Sequence, residues 1–352
     1  MRTFRSHTAL LAVVVMLLLA ACGPGGEGSA GAPASVAAPA SGTAASAAAS
    51  AEAEIDTTPV VIAWQSTPDE NYLPILMALD AMREQGYDIN AQQMSDSNLV
   101  LQGMSSGAVH FTADSLQAGA QGREAGVPIK AITTRNANQV VYVANSDYED
   151  CAGLDGQPSG VYSPDAAYTI LMNLYFEANC PGISTEYVII QDSPLRAQAM
   201  TQGQIFATTL GLPDAMALEA QAPGEFFMAS LATELPGVGD EYLYASESTI
   251  ADHPNIVDAF VREHLVAIRS LYEDPSSATA LVEQYFPETD GDAVAQRFIE
   301  DQLWYANGGL KGPGLEATLE AFDLPGSRED LVDDTGLRAA LDEIGDSDQT
   351  EY

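Results

Sequence analysis

Asp96-Ser97-Asn98-Leu99, followed by Gln102, Met104, Gly107, Val109 and Thr112, recurs as Asp192-Ser193-Pro194-Leu195, followed by Gln198, Met200, Gly203, Ile205 and Thr208. Every member of the second copy lies 96 positions after its counterpart. Each step of the pattern has a physical meaning. Asp-Ser offers a capping side chain to the open N–H groups of a helix start, and a short helical run follows. A glycine then ends the helix, and an apolar strand begins. Both copies also follow an apolar, strand-like run, at residues 87–94 and 187–191. Each copy is thus a β-α-β unit, and this period is far longer than the roughly 20–50 residues of a solenoid repeat. Two similar α/β halves are expected.

The rest of the chain extends that alternation. Residues 60–63, 129–134, 140–144, 160–162, 188–190 and 205–209 read as strands. Residues 74–85, 115–125, 164–178, 195–201 and 214–221 read as helices, the first two ended by Gly86 and Gly126. Strands alternating with helices imply parallel sheets. Residues 235–245 return the chain to the first half. Ile256, Phe260, His264, Ile268 and Tyr272 then recur at helical spacing and mark a long amphipathic helix. Shorter helices run on to about Ile344. The expected organisation is a lobe of residues 59–144 plus 235–345 with C-terminal helices, a lobe of residues 145–234, and a tail at 346–352.

The N-terminus carries an address. Arg2 and Arg5 precede an apolar run at 9–19, and Leu19-Ala20-Ala21-Cys22 is followed by Gly23. The run is shorter than the ~20 residues a bilayer-spanning helix needs, and the order fits a bacterial signal peptide ending in a lipobox. Residues 1–21 are expected to be removed and Cys22 to carry the lipid, palmitate included. An ordinary signal peptide with an incidental cysteine is the plainer alternative. Residues 23–54 favour the lipoprotein, being almost wholly Ala, Ser, Gly and Pro, a composition for a tether rather than a core. With Cys22 it gives a leash, residues 22–58, averaging about 30 Å end to end. The expected location is extracytoplasmic, lipid-anchored to the bacterial cell membrane. Gly23 after Cys22 points to the outer membrane where the host has one.

Net charge is −37, from 50 acidic and 13 basic residues. Such a field repels phosphate backbones, so nucleic acid is excluded as a partner. The carboxylates are scattered and solubilise an exported body, expected to be a monomer. Beyond Cys22 stand Cys151 and Cys180. Outside the cytoplasm an isolated pair is usually a disulfide, two buried thiols being the alternative. The four histidines are dispersed and no CxxC occurs, so neither a metal nor another cofactor is expected.

In open α/β sheets ligands sit beyond the carboxyl ends of strands. That places Trp64, Asn71 and Tyr72 after the first strand, with Asp114, Ser115 and Arg135 after later ones. In the second lobe it selects Ser163, Tyr168 and Asp214. Ser163-Pro164 reads as an N-cap with Pro at the first helical position, leaving N–H groups aimed outward; capping alone is the commoner use. Trp64 suits a stacking wall as well as a core. Trp304-Tyr305 suits packing beneath the C-terminal helices. For an enzyme there is no G-x-S-x-G, no H-E-x-x-H and no Gly-rich phosphate loop, and His264 falls on an apolar helix face. No catalytic residue is assigned.

These residues resemble ABC-transporter solute-binding lipoproteins of the branch that binds nitrate, taurine or alkanesulfonates, and thiamine pyrimidine precursors. The resemblance covers roughly residues 60–286 and rests on the repeated helix–Gly–strand segments, on Leu154-Asp155-Gly156 before Gly160-Val161-Tyr162, and on residues 252–272. It implies the type II periplasmic binding protein fold: two α/β lobes, each a mostly parallel sheet flanked by helices, joined by a two-strand hinge and closing over one small molecule. It also implies permease subunits and a cytoplasmic ATPase as partners. His110 and Phe206 stand where the family commonly has Asp. Pro68-Asp69-Glu70-Asn71-Tyr72 is similar to the Pro-Asn-x-Asn-His stretch of the pyrimidine-precursor binders, with Asp69 and Tyr72 replacing Asn and His. The Cys/His-rich segment of pyrimidine-making relatives is absent.

Aromatic Trp64, Tyr72 and Tyr168, with a few polar partners, describe a pocket for a neutral or weakly cationic ring. A thiamine pyrimidine precursor or a flavin is therefore expected ahead of taurine, alkanesulfonates or nitrate. The alternatives are an anion binder, an extracytoplasmic enzyme, or a ligand-sensing subunit on the same fold.

Overall fold

Val60–Trp64 (β1), Ile89–Gln93 (β2), Phe111–Ser115 (β3) and Ile129–Asn136 (β4) run in one direction, linked by helices Leu73–Gln85 (α1), Ser97–Ser106 (α2) and Leu116–Glu124 (α3). This is a computed structural model, and it describes residues 55–346 except 66, 95–96, 149–150, 152 and 288–290. The expected signal peptide, Cys22, most of the expected tether and the expected capping residue Asp96 lie outside the described residues. Glycines end the helices as expected: Gly86 caps α1 at φ 103°, and Gly107 follows α2 at φ 75°.

After β4 the chain crosses into Val140–Asn145 (β5), Pro158–Val161 (β6), Glu186–Ile189 (β7), Ala207–Gly211 (β8) and Phe226–Ser230 (β9). The intervening helices are Ala167–Asn179 (α4), Ser193–Thr201 (α5), Leu212–Gln221 (α6) and Leu231–Glu234 (α7). Glu241–Ser246 (β10) then returns to the first sheet. The sheet orders are β2-β1-β3-β10-β4 and β7-β6-β8-β5-β9. The two orders are the same pattern, so the sequence repeat is a repeat of topology. β3 and β8 are offset by 96 residues at both ends. At the second copy, Asp192 caps α5 by accepting the Leu195 N–H, and Gly203 takes φ 64°.

Neither sheet is wholly parallel. β10 is antiparallel to β3 and β4, and β5 is antiparallel to β8 and β9. The reversal has a mechanical cause. Each reversed strand is the one that has just crossed from the other sheet, so it enters at the carboxyl ends of the parallel strands and runs back between them. The two crossings are tied together: Asp240 accepts the Asn138 N–H and the Tyr305 hydroxyl, each at 3.0 Å. The Ala137 N–H donates to the Leu303 carbonyl at 2.7 Å, so residues 303–309 strap the hinge.

Glu247–Asp252 (α8) and the amphipathic Pro254–Glu273 (α9) follow, α9 burying Ile256, Phe260, His264 and Ile268. Beyond it come Pro275–Tyr285 (α10), Gly291–Glu300 (α11), Gly314–Ala321 (α12), Arg328–Leu331 (α13) and Thr335–Ile344 (α14). Trp304 is fully buried and stacks on Phe298 at 4.7 Å, a packing role. One apolar cluster lies around the first sheet, α1, α9 and α14. A second joins Val141, Leu210 and Leu218 to Ile268, Phe298 and Trp304. A third lies under β6 and α4 and contains the bonded pair Cys151–Cys180. No helix among the described residues is long and apolar enough to cross a membrane.

Candidate functional site

The ends of β1, β3 and β4 and the start of β10 meet at one edge of the first sheet. Register places Glu241 opposite both Ser115 and Asn136, so the returning strand begins where the parallel ones finish. Trp64 closes β1, and the turn Glu70–Tyr72 that leads into α1 folds back beside it. The Trp64 and Tyr72 rings meet edge to face at 5.5 Å, both almost fully buried. The Arg135 guanidinium lies over the Tyr72 ring, 4.3 Å from its centroid. Nε of Arg135 donates to Asn136 Oδ1 at 2.7 Å, and Nη2 forms an ion pair with Glu241.

Asp69 caps the Glu70–Tyr72 turn, accepting the Asn71 N–H and, at 2.9 Å, the Asn71 amide. Its carboxylate still reaches solvent, yet crowded protein atoms around it raise its pKa above the ordinary range. Burial likewise raises Asp114, whose Oδ1 accepts the Ser115 N–H at 2.8 Å. The Ser115 hydroxyl caps α3 by accepting the Ala118 N–H.

Tyr168 approaches from the opposite lobe on the first turn of α4, with the Thr209 hydroxyl donating to its carbonyl at 3.1 Å. Burial raises its phenol pKa; Asp69 and Arg135 of the first lobe and Asp214 of α6 also act on it. A cavity of about 40 Å³ lies against the hinge, between Ser115 and Gln117 on one side, Asn138 and Gln139, and Tyr168 and Leu171 on the other. Small-molecule pockets occupy about 300–1,000 Å³, so this cavity is smaller than a ring-sized guest needs.

The structure thus gathers Trp64, Asn71, Tyr72, Asp114, Ser115, Arg135 and Tyr168 at the junction of the lobes, with Asp214 near the Tyr168 side. The reading of Ser163 as a helix N-cap is corrected. The helix starts at Ala167 with Ala166 as its N-cap, and the Ala166 N–H closes a turn on the Ser163 carbonyl at 3.3 Å. The Ser163 hydroxyl donates to Asp165 at 2.7 Å instead of capping the helix. Pro164 fits the second position of a turn as readily as a helix start, and the nearby carboxylate decides between them. Ser163 therefore presents no helix N-terminus to the cleft.

Two residues at this junction escape a reading of local pattern, Glu241 and Gln139; Asp69 lies in the stretch 68–72 already singled out. Arg196 is also buried, but its guanidinium donates to the carbonyls of Ile190, Gln191 and Thr209 at 2.9–3.2 Å and pins strand ends of the second sheet. Among the described residues no group of His, Cys, Asp and Glu side chains could hold a metal ion.

Two like-built lobes, two hinge crossings and a polar–aromatic junction between them define the periplasmic binding protein fold. The chain belongs to the NMT1/THI5-like family, which matches residues 72–278, more than half of its length. Solved structures share the fold at low identity. A ligand-binding component of an ABC-type import system from Staphylococcus aureus, with zinc bound, is 13% identical with a TM-score of 0.63, covering 80% of this chain and 98% of its own. A putative periplasmic sulfonate-binding protein from Methylobacillus flagellatus is 16% identical with a TM-score of 0.63, covering 84% and 99%. The periplasmic nitrate-binding protein of Synechocystis is 10% identical with a TM-score of 0.61, covering 82% and 89%. No match is found among curated proteins.

Proposed function

We propose that this chain is the extracytoplasmic solute-binding subunit of an ABC importer. It captures a flat aromatic heterocycle, of the thiamine pyrimidine precursor or flavin kind, between its lobes. It then delivers that solute to permease subunits coupled to a cytoplasmic ATPase. It acts by binding rather than catalysis, as a monomer tethered through lipid on Cys22. The observation that carries the ligand class is the aromatic set Trp64, Tyr72 and Tyr168, drawn from both lobes to one junction beside the hinge. Flat rings gain most from such faces, while carboxylates and amides at the edges orient them.

Names of structural neighbours favour a second reading, a sulfonate or nitrate binder. An anion needs cationic or N–H donors in the cleft. Arg135 is engaged by Glu241 and Asn136, and Arg196 by three carbonyls. The heterocycle reading therefore stands first.

A thermal-shift and calorimetric screen over pyrimidines, flavins, sulfonates and nitrate tests the choice. Trp64→Ala is expected to weaken heterocycle binding by about 1–3 kcal/mol, the loss typical of a buried aromatic contact at a binding site. A shift from sulfonates alone, abolished by Arg135→Ala but not by Trp64→Ala, would favour the anion reading.

The anchor has its own test. The described chain enters the body at Ile55–Thr58, ahead of β1, where Asp56 bonds His253 at 2.9 Å; Trp64 lies at the other end of that strand. Cys22→Ser is expected to release a folded, soluble protein with unchanged ligand affinity. Membrane fractionation checks it, and full retention of the variant rejects lipidation at Cys22.

A further inference from the structure

We propose, resting on the reading of this cleft as a solute site, that it selects an organic cation: a planar ring system bearing amidine-like N–H groups. The charge of the wall comes first. The first lobe contributes Asp69, Asp114 and Glu241, the second contributes Asp214, and against them stand Arg135 and Arg196. Both arginines are already engaged, Arg135 by a carboxylate and Arg196 by backbone carbonyls. Among the described residues, the hydrogen bonds that Asp69 and Asp114 accept come from neutral groups of Asn71, Ser115 and Ser97. Arg135 acts on both carboxylates through space, but neither forms an ion pair with it among the described residues.

Hydrogen-bonding capacity leans the same way. Asn71 is buried to 3% exposure, and its Oδ1 has no partner among the described residues. Gln139 Oε1, on the cavity wall, has none either. Unpaired buried acceptors are costly, and a guest that brings N–H donors removes that cost. A sulfonate or nitrate brings only further acceptors.

The aromatic faces complete the case. Arg135 already shows what Tyr72 accepts: a planar, delocalised nitrogen cation 4.3 Å above the ring and ion-paired at its edge. Trp64, 5% exposed, packs edge to face on Tyr72, and Tyr168 stands on the opposite lobe. An aromatic wall with carboxylates at its rim attracts a cation both through ring quadrupoles and through charge. A cation docked beside Asp69 and Asp114 favours their charged forms against the desolvation that raises both.

The test uses three probes of one shape and three charges: benzamidine, benzamide and benzenesulfonate, titrated calorimetrically at neutral pH into the full processed protein. Benzamidine is expected to bind at least tenfold more tightly than benzamide, with no saturable heat from benzenesulfonate. Asp69→Asn and Asp114→Asn are each expected to weaken benzamidine at least fivefold and leave benzamide within twofold, with thermal melts confirming that both variants fold. Equal affinities, a preference for benzenesulfonate, or no binding of any probe overturns the cation assignment. Trp64→Ala separates the two levels of failure. If benzenesulfonate wins and Trp64→Ala weakens it, the cleft is the solute site and only its charge preference is wrong. If benzamidine binds but Trp64→Ala and both Asp variants leave it unchanged, the cleft itself is not the site.

Discussion

Cys151→Ala/Cys180→Ala is expected to lower the unfolding free energy by about 3–4 kcal/mol. The bonded pair is 29 residues apart, and closing a loop of that length removes about this much chain entropy from the unfolded state. Alanine is the right replacement because both sulfurs are buried, Cys151 at 8% and Cys180 at 3% exposure, among Leu154, Val161, Tyr142 and Phe176. Serine would add two hydroxyls to that cluster. The bond ties the segment before β6 to the C-terminal end of α4. Tyr168, at the other end of α4, is held separately: Thr209 donates to its carbonyl, and the Thr169 hydroxyl donates to the Ser163 carbonyl at 2.7 Å. Stability is therefore expected to fall while ligand affinity, measured well below the transition, stays within a factor of two. Denaturant unfolding of wild type and variant, with and without reductant, measures the difference. Coincident wild-type curves in both conditions would contradict the entropic account.

Much of the architecture was legible because its signals are local. An Asp-Ser pair, a short helix and a closing glycine describe a β-α-β unit wherever they occur, and 96 residues of separation between two copies predicts two lobes. The position of Trp64, Tyr72, Asp114 and Arg135 at one edge of the first sheet was legible by the same logic, since parallel strands deliver their carboxyl ends to one edge. Glu241 was not. Its place depends on an antiparallel register between segments more than a hundred residues apart, which leaves no trace in local pattern. Missing Glu241 has a consequence for function, because without it Arg135 reads as a free anion contact. With it, the same arginine is an internal cation stacked on Tyr72. The N-cap reading of Ser163 failed for the opposite reason. A good local signal was outcompeted by Asp165, two residues away, for one hydroxyl.

Acid is expected to destabilise the protein through His264, which lies beneath the candidate site. Its imidazole is fully buried on α9, and its Nε2 contacts the Thr134 carbonyl at 3.2 Å, one residue before Arg135. Burial lowers its pKa to about 4 from an ordinary 6.5, although the Thr134 and Pro74 carbonyls pull the other way. Between those values the unfolded chain takes up a proton that the folded one refuses. The contribution is therefore present in full above pH 6.5 and is lost as pH falls toward 4, in total about 3 kcal/mol. Asp69 and Asp114, raised by burial, have the opposite slope, and Asp56, lowered to about 2 chiefly by hydrogen bonds from Thr58, acts below this window. His264→Gln keeps an N–H for the Thr134 carbonyl and removes the titration, so comparing the two proteins cancels the carboxylates. Unfolding free energies measured by denaturant at half-unit steps from pH 7 to pH 4 are expected to fall more steeply for wild type. Parallel pH profiles for the two proteins would show that His264 does not titrate this way. Thr134 leads directly into Arg135 on β4, and Pro74 opens α1 just after Tyr72. Protonation at His264 thus places a buried imidazolium between the two segments that carry the Arg135–Tyr72 stack, and its cost is desolvation rather than repulsion from their carbonyls.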